Sequence, residues 1–274
     1  MTIELGPMRR MLWVGLMVGI AALPALAADR AVADPQEDSE AVSLLQDPPP
    51  GMTGDELFSK LLEHNRLRDL RLQEYSAMRS YELKDSEGNV RAQEGVEVTY
   101  RAPDTKAFKT TSESGSRVIR SLVFKKLIES EVEAAGGQQH RDSALKPANY
   151  SFRLIGEQDI GPYHCIVAEA VPRRKDKYLF EGKIWIDAQD FAVVRIAGHP
   201  ASKLSFWINR VDFVRQYQRI GDFWLPSKDE TFVDVKLYGK KVLTIDHHDY
   251  TINGDAGGAE QAQDLVRDRQ VAAR

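Results

Sequence analysis

The sequence predicts an α+β fold: a large curved antiparallel β-sheet with an N-terminal helix and one inserted helix on its concave side. Three observations carry this. Apolar residues recur at every second position in segment after segment between Leu72 and Ile252, the period of a strand with one buried face. The turns joining these segments are short, and short turns connect antiparallel neighbours only. Two stretches, 53–68 and 116–135, switch to helical spacing. A sheet of so many strands must curl, and amphipathic helices then partly cover its hollow.

The first 27 residues have the layout of a secretory signal peptide. Met8-Arg9-Arg10 is a short basic region, Met11 to Leu23 is apolar, and Pro24 precedes Ala25-Leu26-Ala27. The apolar core is too short to span a bilayer as a helix. Cleavage after Ala27 and export to the periplasm are expected, and with no cysteine near that site a lipid anchor is not. Residues 28–52 carry Asp34, Glu37, Asp38, Glu40 and Asp47 and end in Pro48-Pro49-Pro50-Gly51, the composition of a disordered linker. One domain over 53–252 and a flexible tail over 253–274 complete the chain.

Within the domain, Thr53 and Glu56 form a capping box, and Leu57, Phe58, Leu61 and Leu62 share one helical stripe to about Arg68. Leu72–Leu83, Gly95–Arg101 and Lys106–Thr111 read as strands, with a hairpin turn at Asp85–Asn89. Val118, Ile119, Leu122, Val123, Leu127, Ile128 and Val132 recur at helical spacing, and Gly136-Gly137 ends that helix. Strands resume at Tyr150–Glu157 and Tyr163–Val171. From Tyr178 to Ile186 every second residue is apolar or glycine, with Leu179 and Trp185 on the intervening face, then a turn leads to a β-branched strand, Phe191–Ala197, interrupted at His199-Pro200. A strand is read from Leu204, where Leu204, Phe206 and Ile208 share one face while Val211, Phe213 and Tyr217 share the other; the phase change predicts a bulge near Asn209–Asp212. Phe223, Thr231–Leu237 and Lys241–Ile252 supply the last strands.

The runs Gly161-Pro162-Tyr163-His164-Cys165-Ile166-Val167, Gly182-Lys183-Ile184-Trp185-Ile186-Asp187, Arg195, Phe223-Trp224-Leu225-Pro226 and Gly239 resemble the C-terminal half of the outer-membrane lipoprotein-sorting proteins, the LolA-like periplasmic carriers related in fold to RseB and MucB. The resemblance spans 53–252 in element order. It implies a half-open barrel whose hollow holds acyl chains or lipoproteins.

No catalytic signature accompanies this pattern: there is no G-x-S-x-G, P-loop, G-x-G-x-x-G, H-E-x-x-H or C-x-x-C. No enzyme activity, cofactor or metal is expected. His247-His248-Asp249, with Asp246, looks like a ligand cluster, yet strand neighbours point to opposite faces, and it reads as a solvated strand end. Asp229-Glu230 lies in a charged run that reads as a solvated turn, and Arg173-Arg174-Lys175 as a soluble loop. His140, His164 and His199 are isolated. Cys165, the single cysteine, reads as a small buried hydrophobe. A formal net charge of −4 argues against nucleic acid as a partner. The expected working surface is the apolar hollow. Its candidate lining is Ile184, Ile186, Val194, Ile196, Phe206 and Ile208, with Trp185 and Trp207 among the aromatics, beside Phe213, Tyr217 and Trp224, that either fill the core or line it. The function expected is a non-enzymatic periplasmic lipid or lipoprotein carrier; the alternative is an envelope stress sensor or scaffold that binds a protein through the same fold.

Overall fold

The computed structural model describes residues 44–103, 105–136 and 145–254. The leader, most of the linker, nearly all of the C-terminal tail and His140 lie outside the described residues. Helix α1 (Gly54–Arg71) leads into β1 (Glu74–Asp85), β2 (Val90–Arg101) and β3 (Thr105–Gly115). The inserted helix α2 has three consecutive pieces: α-helical Arg117–Ile119, π-helical Arg120–Phe124 and α-helical Lys125–Gly136. Seven strands follow: β4 (Tyr150–Ile160), β5 (Tyr163–Pro172), β6 (Phe180–Asp187), β7 (Val193–Pro200), β8 (Ile208–Ile220), β9 (Phe223–Val235) and β10 (Gly239–Ile252).

All ten strands form one antiparallel sheet in the order β3-β2-β1-β10-β9-β8-β7-β6-β5-β4. Two meanders are thus joined by pairing the first strand of one to the last strand of the other. The sheet is strongly bent. Tyr163 at the start of β5 and Trp224 at the start of β9 have ring centroids 4.7 Å apart, although four strand spacings separate β5 from β9, roughly 19 Å in a flat sheet. Phe180 of β6 likewise meets Phe213 of β8 at 5.8 Å, across β7. Glycine permits this second contact. Gly182 and Gly198 are direct partners on β6 and β7; a Cβ at 182 would lie 2.1 Å from the Ala197 carbonyl oxygen, and one at 198 would lie 3.0 Å from the Phe180 ring.

The bend wraps the sheet around its helices. Thr53 caps α1 as the sequence predicts: its hydroxyl accepts the Glu56 amide, and the Glu56 carboxylate accepts the Thr53 amide at 2.8 Å. Leu57, Phe58 and Leu61 are buried, with Phe58 stacked on Phe152 of β4. In α2, Val123, Phe124 and Leu127 enter the same apolar cluster. The π-helical turn was not legible in the sequence. There consecutive Val123 and Phe124 are both buried, while Arg120 donates to the Ser114 and Gly115 carbonyls.

Three details differ from the sequence reading. His199 and Pro200, read as an interruption, are the end of β7 and pair with Glu181 and Phe180. Gln46, assigned to the linker, forms a two-bond bridge with Glu157 and so covers part of edge strand β4. The strand read from Leu204 begins at Ile208; 201–207 is a connection. The expected bulge is present, as a register shift between Ile208 and Arg210. No described helix is long and apolar enough to cross a membrane.

Candidate functional site

Strand alternation sends one face of the sheet toward the helices. On β1 the buried residues are Tyr75, Ala77, Arg79, Tyr81 and Leu83, so a charged side chain sits in the apolar phase. The neighbouring strands repeat this at the same level. Arg79 is paired with His247 of β10, and Asp229 of β9 with Arg215 of β8. These residues form a row across the inner face. Tyr81, Leu83, Leu243 and Ile245 lie on one side of it, in the main core cluster; Tyr75, Ala77, Tyr250 and Ile252 lie on the other, in a smaller one.

The row carries two bonded groups, one at Glu131 and one at Asp229. Arg79 makes a bidentate pair with Glu131 of α2, at 2.7 and 3.1 Å, and Lys106 of β3 donates to the same carboxylate at 2.6 Å. His247 Nε2 is 3.0 Å from Asp229 Oδ2, and Arg215 Nε donates to Asp229 Oδ1. The Arg79, Lys106 and His247 side chains are 5, 3 and 4% exposed. Burial alone would raise the Glu131 and Asp229 carboxyls. The cations beside them outweigh it: Arg79 and Lys106 hold Glu131 well below the usual range, and Arg215 with His247 holds Asp229 at about 2. Burial pushes His247 below its ordinary value despite Asp229. Neutral His247 then donates from Nε2 to Asp229, and its buried Nδ1 has no hydrogen-bond partner. Of five formal charges in the row, three are positive and two negative.

A pH dependence follows. Both groups bind protons more weakly folded than unfolded, so stability rises with pH through their titration. The His247 contribution is complete above its ordinary value of 6.5 and declines as pH falls below it; that of Asp229 is complete above 3.8 and is lost as pH falls through about 2. Urea midpoints are expected to be level from neutral pH to about 8 and to fall below about 6.5. His247→Gln should remove the decline between neutral pH and about 5; an unchanged profile in that variant would contradict the assignment.

A cleft of about 600 Å³ opens beside this row, between β2–β3 and the first turns of α2. Phe108, Ile128, Arg117, Arg120, Lys125 and Glu94 are among its lining residues. Phe108 also lies under Arg79, with the guanidinium 5.5 Å from its ring centroid. Buried Glu94 accepts from Thr110 at 3.0 Å, and burial raises its carboxyl.

The expected lining residues do not share one surface. Ile184, Ile186 and Ile196 are fully buried on the inner face: Ile184 is paired with Ala168 and Ile196, and Ile196 with Arg215. Val194 is buried at the β6–β7 register shift. Trp185, opposite Arg195 rather than in the Ile184 row, is on the outer face, where its indole N–H donates to Gln158 at 2.7 Å and Arg195 lies over its ring. Ile208 belongs to a separate small cluster with Val211, Val233 and Val235 and borders a cleft of about 270 Å³. Phe206 and Trp207 are not on the inner face; they project from the β7–β8 connection, 74 and 56% exposed. Phe213, Tyr217 and Trp224 are core.

Of three charged segments, two differ from their sequence reading, while Arg173-Arg174-Lys175 is an exposed loop as read. Asp229-Glu230 is no turn: both lie within β9, with Asp229 buried in the row and Glu230 paired with Lys228. His247-His248 is only half solvated, since His248 faces out beside Asp249 and Ser80 while His247 faces in. Arg173 and Arg174 brace the start of β4 through Pro147, Tyr150 and Asn149. Cys165 is a buried free thiol, its pKa pushed by burial to about 12. The signal for the buried row was present in the sequence, as single charges at Arg79, Asp229 and His247 within otherwise apolar alternation.

No protein-family model and no curated protein sequence matches the chain. Among solved structures it is similar to a DUF1329 family protein from Desulfovibrio piger, at 11% identity and TM-score 0.38 over 76% of this chain and 94% of that one. It is similar to a LolA superfamily protein from Nitrosomonas europaea, at 9% identity and TM-score 0.34, covering 74% and 94%. An outer membrane lipoprotein-sorting protein domain from Vibrio parahaemolyticus gives 13% identity and TM-score 0.36, covering 72% and 93%. At TM-scores below 0.5 these likenesses carry no function to this chain.

Proposed function

We propose that the chain is a carrier without enzymatic activity that binds acyl-chain amphiphiles, lipid or lipoprotein, beneath helix α2. The observation that carries this is the cleft of about 600 Å³ at the flank of α2, within the roughly 300–1,000 Å³ range of ligand sites. It leads under a helix held to the sheet through one buried charged cluster as well as through apolar packing. Phe108 and Ile128 offer apolar contact at its mouth, and Arg117, Arg120 and Lys125, set against Glu94, Glu113 and Glu129, offer charged groups to a polar headgroup. Deeper entry requires α2 to swing away from β2 and β3, because Val96, Val98, Val123 and Leu127 are buried as the chain stands. Once uncovered, these would receive the acyl chain first, with Ile184, Ile186, Val194 and Ile196 further along the same apolar cluster, each methylene withdrawn from water contributing about 0.8 kcal/mol. The leader-like N-terminus supports an exported, periplasmic setting.

Uptake of a fluorescent long-chain fatty acid tests this. Ile128→Trp, which fills the mouth of the cleft, is expected to weaken uptake about tenfold or more while leaving the circular dichroism spectrum unchanged. Equal uptake by the two proteins would place the guest elsewhere, and none by either would remove the carrier reading.

A further inference from the structure

The β7–β8 connection and the β9–β10 turn project together at one end of the sheet. The Lys236 amide donates to the Trp207 carbonyl at 2.9 Å, which ties the two. At this tip Phe206, Trp207 and Leu237 are 74, 56 and 85% exposed, and the Phe206 and Trp207 rings meet edge to face at 5.5 Å. Leu237 has φ +67°, a left-handed conformation that disfavours a leucine and suits glycine or asparagine. A large apolar side chain held outward on such a backbone contributes nothing to the core. Its surroundings are cationic. Lys236 lies 3.7 Å from the centre of the Phe206 ring, and Lys203 and Lys240 are exposed; Arg210 is paired with Asp212, Asp234 faces Lys240 and Asp85 faces Lys241 across the ladder. This excess stands out on a chain of net charge −4.

We infer that this tip inserts into the interface of an anionic phospholipid bilayer. Tryptophan and phenylalanine partition to the headgroup level, and flanking lysines are attracted to anionic lipid. A protein partner fits less well. Three protruding side chains expose roughly 500 Å² at most, below the roughly 800 Å² per partner of a stable protein interface. The inference is independent of the acyl-carrier reading and would stand if no guest were ever found beneath α2.

The test uses the full chain with vesicles of phosphatidylcholine, with or without phosphatidylglycerol, carrying brominated acyl chains. The chain has four tryptophans. Trp185 and Trp224 are buried, and Trp13 contributes equally to wild type and variants. Anionic vesicles are expected to quench wild type more than Trp207→Phe, the difference being the Trp207 signal. That signal should weaken with salt and vanish on vesicles of phosphatidylcholine alone. Lys236→Gln and Lys240→Gln should each weaken binding about fivefold. No Trp207-specific quenching, or quenching that is the same on neutral vesicles, would overturn the inference. So would sedimentation showing a dimer that Phe206→Ser dissociates, because the occupant would then be a second copy of the chain.

Discussion

Replacing Glu131 by glutamine is expected to release α2 from the sheet. The substitution preserves shape and removes the one carboxylate that neutralises both Arg79 and Lys106, each with a side chain almost wholly buried. Leaving a buried charge without its partner costs about 3–5 kcal/mol. The cost falls on the docking of α2, because the arginine and lysine can reach water only if the helix moves. Amide protection over residues 117–136 should therefore drop roughly a hundredfold or more, with β6 and β7 unaffected. Ring contacts of Phe124 with Tyr81 and burial of Val123 and Leu127 still favour the closed position. The helix should thus become a populated open state rather than unfold the chain. Removing all three charges together, with Arg79→Met, Lys106→Met and Glu131→Leu, should restore most of the protection, since an apolar replacement of a buried ion cluster is often neutral or better. If the triple variant were as labile as Glu131→Gln, the cluster would not be the latch.

Asp229→Asn should act globally. Asp229 sits on β9, the fifth strand of ten in sheet order, and joins Arg215 on one side to His247 on the other. Asparagine strands the Arg215 guanidinium among buried neighbours, at a cost of about 3–5 kcal/mol. No single helix can swing away to relieve it, so urea unfolding should shift as one transition. Glu230→Gln, one residue along on the opposite face, is the control. Its pairing with Lys228 is a partly exposed one, and its loss should cost no more than about 1 kcal/mol. Comparable losses from both substitutions would mean that the buried row contributes nothing special.

Much of this architecture is legible in the amino-acid sequence. Period-two alternation gave nearly every strand, and the Thr53–Glu56 box placed the start of α1. Element class was therefore legible, because it depends on local patterning. What depended on distant partners was not. Nothing near β1 or β10 announces that they pair, yet that pairing makes one sheet of two meanders. Phe206 and Trp207 fit the alternating phase of a strand, but Ala201–Trp207 left the ladder, and both side chains ended outside. The inner row was harder still. Each member looks like an ordinary surface charge until the register aligns Arg79, His247, Asp229 and Arg215. Its trace was the phase alone: a charge at an apolar position on three strands. For the candidate site, the sequence pointed to β6 and β7, whose isoleucines lie beneath the helices. The cleft is at the opposite flank, on β2 and β3, and arises from how α2 crosses the inner face.

The central claim is that α2 closes over a surface meant for an acyl chain. Native mass spectrometry of the chain purified from its own source tests it most directly. The account predicts a bound species of lipid or lipoprotein mass that Glu131→Gln exchanges faster than wild type. A clean unliganded mass for both proteins, persisting after incubation with a long-chain fatty acid, would contradict it.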